Sequence, residues 1–119
     1  MKLETTFFCN NIIFYSKTIT LAENNKIMNS IEFNIKNGVG IITLNRPNVF
    51  NSFNQEMAFS LHKTLDECAD NEEVRAIYIT GNGKAFCAGQ DLQEVTDPNG
   101  PELSSIVTDH YNPIVERLR

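Results

Sequence analysis

The sequence predicts an α/β fold, and three features of the chain carry that prediction. Two runs with the alternation of half-buried strands flank an Asn-Gly pair, one apolar stripe follows at helical spacing, and a β-branched run then returns to strand character. The order is β-β-α-β, with the helix as a crossover between two strands.

In the first run, I-E-F-N-I-K, Ile31, Phe33 and Ile35 share one face and polar groups take the other. Asn37-Gly38 supplies the positive-φ pair of a tight hairpin, and V-G-I-I-T-L returns as a second, more apolar strand. Arg46-Pro47 ends it, because proline cannot donate to a ladder. After a loop reaching Asn51, Ser52 and Gln55 match a capping box. Met57, Leu61, Leu65 and Cys68 then form the buried stripe of an amphipathic helix. The third strand, V-R-A-I-Y-I-T, stops at the breaker G-N-G. A loop K-A-F-C-A-G, a short helix from Asp91-Leu92 and the loop D-P-N-G-P follow, and the remaining residues form a helix that Pro113 is expected to kink or interrupt. The helical pattern runs to the last residue without a closing Gly or polar cap, so the domain is expected to be incomplete at its carboxyl end. Such a fragment is expected to leave sheet edges and the stripe of Met57, Leu61 and Leu65 partly uncovered.

Composition narrows the function. The 119 residues are 41% hydrophobic and 21% charged, with a net charge of -5, enough apolar material for one domain and too acidic for a phosphate-backbone binder. Nucleic acid is excluded as a partner on that ground. No stretch of about 18 apolar residues exists to span a membrane as a helix. Three cysteines without a C-x-x-C pair fit reduced thiols in a cytoplasmic protein rather than a disulfide or zinc framework. Residues 1–27 lack the apolar run of a secretory signal and the Arg-rich character of a transit peptide. They are expected to be an extension ahead of a start at Met28, with 28–119 as the domain portion.

The stretch G-N-G-K-A-F-C-A-G-Q-D-L carries the most chemistry. It is not a phosphate loop, since Ala85 follows Lys84 where Ser or Thr must reach magnesium. Nor is it a dinucleotide fingerprint, because Phe86 stands where the third glycine is needed. What remains is a strand end, a loop of small residues and a helix start, a place where Gly89 lets the backbone bend and the Gln90 N–H can face a developing oxyanion. Local physics equally allows a plain tight turn in which Asp91 merely caps the helix.

The run from Ile31 through G-V-G-I-I-T-L-N-R-P, N-S-F-N at a helix start, and V-R-A-I-Y-I-T-G-N-G-K-A-F-C-A-G-Q-D-L resembles the amino-terminal part of the enoyl-CoA hydratase/isomerase (crotonase) superfamily. C-A-G-Q-D-L, D-P-N-G-P and H-Y-N-P-I-V-E-R-L are more particularly similar to the subgroup that isomerises ring-1,2-epoxyphenylacetyl-CoA in phenylacetate breakdown. The resemblance implies a ClpP/crotonase-like spiral of β-β-α units, acyl-CoA thioester substrates, an enolate held by two backbone N–H groups, and coenzyme A as part of the substrate with no other cofactor. It implies Gln90 as the first of those donors, by its backbone and irrespective of its side chain. Asn48 and Val49 would lie by the nucleotide of CoA, and Ala85, Ala88, Asp91 and Leu92 along its adenine and pantetheine path, with Phe50 and Tyr111 near the acyl end. Homotrimers or hexamers are usual in this family.

The second donor and the acid/base carboxylates of the family have no matching motif in this chain, which is therefore expected to be inactive alone. The alternative is a non-catalytic module that binds CoA or pairs with a second chain. Asp97, Glu102, Asp109 and Glu116 read as solvated charges. His62 and His110 have no ligand or base spacing, so no metal site is expected, and Cys87 reads as a packing residue.

Overall fold

The computed structural model describes residues 29–119 together with the backbone of two short strands, β1 (Thr6–Cys9) and β2 (Ile12–Tyr15), which pair antiparallel. The start expected at Met28 lies outside the described residues.

The domain opens on the hairpin expected at Asn37-Gly38. Both residues take positive φ, 52° and 80°, the geometry that matches the right-handed twist of the flanking strands. β3 (Ile31–Lys36) and β4 (Val39–Leu44) pair in register from Ile31 opposite Leu44 to Lys36 opposite Val39. Crossing back through helix α1 (Gln55–Asp70), the chain lays β5 (Ala76–Gly81) parallel to β4, so the sheet order is β3-β4-β5.

Alternation sets the core. Gly40, Ile42 and Leu44 turn one face of β4 inward, where Met57, Ala58, Leu61, Leu65 and Cys68 of α1 meet it. Gly40 is needed for the approach, because a Cβ there would stand 3.2 Å from the Cys68 sulfur and 3.3 Å from both Phe33 and Val74.

Three expectations require correction. The stripe of Met57, Leu61 and Leu65 is covered rather than half open, at 0%, 2% and 2% exposure, because the last helical arm folds back across α1 and adds Ile114 to the core. Among the strands, β5 does leave apolar surface uncovered, with Tyr78 57% exposed. The capping box also fails. Residues 50–53 are committed to pairing with a later loop, so the helix begins two residues beyond the expected cap. Asn54 is the cap, accepting the Met57 N–H on its side-chain oxygen at 3.0 Å.

Pro113 neither breaks nor visibly ends the last helix. α3 (Leu103–Ser105) passes into a π-helical stretch, Ile106–Tyr111, and then into α4 (Asn112–Leu118). The Asn112 N–H reaches back to the Val107 carbonyl, and Pro113 sits in the first turn of α4, where its missing N–H has little cost. This winding turns Ile106 and His110 inward and leaves Tyr111 half-buried over Phe53. Arg117 then clasps Asp66 of α1 with two hydrogen bonds, 2.7 and 3.0 Å.

Candidate functional site

Two loops lie side by side at the carboxyl ends of β4 and β5. The first carries Arg46, a single 3-10 turn at Pro47–Val49, and the residues to Phe53. The second runs from Asn82 to Asp91. Gly83 stands against Pro47, so close that a Cβ would meet it at 2.9 Å.

Backbone hydrogen bonds stitch the loops together. The Ala88 N–H donates to the Phe50 carbonyl at 3.0 Å, the Phe53 N–H to the Gly89 carbonyl at 2.8 Å, and the Asp91 N–H to the Phe53 carbonyl at 2.7 Å. Phe53 and Gln90 thus form a parallel bridge in which the groups flanking Gln90 make the bonds. By the alternation of extended backbone, the Gln90 N–H leaves the opposite side of this ribbon, and it has no hydrogen-bond partner among the described residues. Gly89 takes φ +103°, and the space a Cβ would enter is open to 4 Å. The bend expected at Ala88-Gly89-Gln90 is therefore present, with an unspent donor beside open space.

Three residues that sequence reasoning passed over hold the bend. Asn51, fully buried and at φ 57°, accepts the Arg46 N–H at 2.8 Å and donates to the carbonyls of Asn82 and Ala85 at 2.9 and 2.8 Å. Arg46 donates to the Ser52 carbonyl at 2.6 Å and pairs with Asp91 at 2.9 Å. Glu94 receives the Gln55 N–H at the start of α1 and, at 3.0 Å, the side-chain amide of Gln90. The one available signal was the second asparagine of N-V-F-N, a residue type that tolerates positive φ.

The remaining expected residues fall as follows. Asn48 and Val49 lie on the first of the stitched loops and Ala85 and Ala88 on the second, with Phe50, 53% exposed, bonded through its carbonyl to Ala88. Leu92 stands apart at the start of α2 (Leu92–Thr96), 73% exposed. Asp91 has both carboxylate oxygens engaged, one by Arg46 and the other by the Gln93 N–H, so it caps α2 and ties down the loop. Tyr111 lies over Phe53 and donates to the Gln90 side-chain oxygen at 2.7 Å. Burial holds its phenol above the usual tyrosine range, with Cys87 and Glu94 nearby adding to the effect. The Cys87 sulfur accepts the Gly89 N–H at 3.4 Å within the turn. His62 meets the carbonyl of His110 at 2.8 Å, packing one helix on another rather than facing the loops. A groove lined by Leu65, Val74, Ile77, Ile79 and Leu118 shares no residue with the bend.

Residues 34–118 match the enoyl-CoA hydratase/isomerase family. The chain belongs to that family. It is 42% identical over 95 residues to a 1,2-epoxyphenylacetyl-CoA isomerase of Escherichia coli, covering 77% of this chain and 36% of the relative. A probable enoyl-CoA hydratase of Rhodobacter capsulatus is 36% identical over 89 residues, 75% of this chain and 34% of its own length. The fold of this enoyl-CoA hydratase/isomerase family member is that of the crotonases. An enoyl-CoA hydratase of Mycobacterium smegmatis superposes with a TM-score of 0.66 at 30% identity, over 74% of this chain and 35% of that one. The chain thus spans about a third of the length of the curated relatives it matches.

Proposed function

We propose that the chain contributes the first oxyanion donor of an acyl-CoA isomerase or hydratase, with the Gln90 N–H received by a thioester carbonyl oxygen as it becomes an enolate. The unpaired Gln90 N–H at the Gly89 bend is the observation that carries this reading. Loss of a proton beside the carbonyl transfers charge to that oxygen, and one preorganised donor is worth about 3 kcal/mol to such a transition state. The CoA portion runs along the stitched loops past Asn48, Val49, Ala85 and Ala88, arrives as part of the substrate, and leaves the acyl group near Phe50 and Tyr111. Within the family, a ring-1,2-epoxyphenylacetyl-CoA substrate is favoured by the 42% identity to the Escherichia coli isomerase.

Titration calorimetry of the chain with phenylacetyl-CoA, crotonyl-CoA and free CoA tests the reading. Thioesters are expected to bind more tightly than free CoA, with phenylacetyl-CoA foremost. Equal binding of all three, or of none, overturns it. Binding of free CoA as tight as that of the thioesters points instead to a CoA-binding module.

A further inference from the structure

Resting on the oxyanion reading above, we propose that the Gln90 side chain is a strut between Tyr111 and Glu94 that aims the Gln90 N–H, which makes Tyr111 and Glu94 positioning residues for the donor. A backbone donor was expected to tolerate any side chain at this position; the contacts point the other way.

Gly89 gives the bend its freedom, and nothing packs on the side where a Cβ would stand. The bridge to Phe53 fixes the backbone on either side of Gln90, and the Gln90 side chain adds a second hold. Its carboxamide is held at both ends, donating through Nε2 to Glu94 at 3.0 Å and accepting at Oε1 from the Tyr111 hydroxyl at 2.7 Å. The direction of these bonds is dictated by chemistry. An ionised Glu94 can only accept, which turns Nε2 toward it, leaves Oε1 facing Tyr111 and requires the phenol to donate. Glu94 is itself fixed by the Gln55 N–H, whose contacts to its two oxygens are 2.9 and 3.0 Å, at the positive end of the sixteen-residue helix α1. At the other end, Tyr111 is placed by the π-helical stretch and by its ring against Phe53, the residue that bridges Gln90. Segments around residues 53–55, 90–94 and 111 therefore converge on one carboxamide, and a phenol whose proton is held more firmly than usual suits the donor role.

Acetoacetyl-CoA is a suitable probe, because its enolate has its own ultraviolet band and the bound enolate fraction reports the strength of the oxyanion donor without turnover. The wild-type chain is expected to raise that fraction. Tyr111→Phe keeps the ring on Phe53 and removes only the hydroxyl; it should lower the ratio of bound enolate to keto form about five-fold, the effect of one neutral hydrogen bond, with the affinity for free CoA unchanged. Gln90→Glu should lower it further by setting two carboxylates against each other. The double variant Gln90→Glu/Glu94→Gln restores a donor at position 94 and an acceptor facing Tyr111, and should recover the wild-type ratio, which a misfolded chain could not do. Unchanged ratios in Tyr111→Phe and Gln90→Glu overturn the strut while leaving the oxyanion reading intact. Failure of the wild-type chain to raise the enolate band overturns the oxyanion reading and the strut with it.

Discussion

Across 45 positions of sequence, the Arg46 guanidinium meets the Asp91 carboxylate at 2.9 Å, tying the end of β4 to the start of α2 beneath the Gly89 bend. Both side chains are largely shielded, 21% and 12% exposed. Arg46 also holds the Ser52 carbonyl and Asp91 also caps α2, so the pair fixes both loops at once.

Asp91→Ala should therefore cost more than an exposed ion pair, about 2 kcal/mol, since it strands a partly buried guanidinium and removes a cap. Urea denaturation measures it. A loss below about 0.5 kcal/mol would show that the pair does not hold the loops.

Asn51→Asp keeps size and backbone preference but presents a carboxylate to the carbonyls of Asn82 and Ala85, which the amide now serves. With the side chain fully buried, destabilisation of about 3 kcal/mol is expected, together with weakened thioester binding. A variant as stable as wild type would refute the role given to Asn51.

Gly89→Val places a β-branched residue at φ +103°, where strain rather than collision is the penalty because the space around it is open. Thioester binding should fall sharply. The far-ultraviolet circular dichroism should remain that of the wild type, and retained tight binding in the variant would separate the bend from the function.

Two titrations have opposite signs. The hydrogen bonds from Arg117 hold the Asp66 carboxyl below its usual range, so its contribution is present above pH 3.8 and is lost as pH falls. Tyr111 is raised, so its contribution is present below pH 10 and is lost as pH climbs through the higher folded value. Denaturation midpoints across pH should show Asp66→Asn flattening the acid limb alone and Tyr111→Phe the alkaline limb alone. Any exchange of those effects would contradict the contacts.

Much of the framework was legible because it depends on neighbours in sequence. Asn37-Gly38 determines the hairpin by its own φ preferences, the Met57, Leu61, Leu65 and Cys68 spacing determines the buried face of α1, and the glycine at 89 determines where the chain can bend. The motifs around that bend likewise sufficed to place the chain in its family.

The capping of α1 was not legible, since Asn54 outcompetes Ser52 only once residues 50–53 pair with the second loop, and Glu94 reaches Gln55 from 39 positions away. The cover over Leu61 came from a helical arm whose direction depends on the π-helical stretch before Pro113. For the same reason the partners of Asp91 and of the Gln90 side chain were not legible. Local sequence determined which backbone bends and which face is apolar, because those follow from torsional preference and periodicity. Tertiary structure alone decided which polar atoms are spent and which remain free, because a hydrogen-bond partner is fixed by position in space.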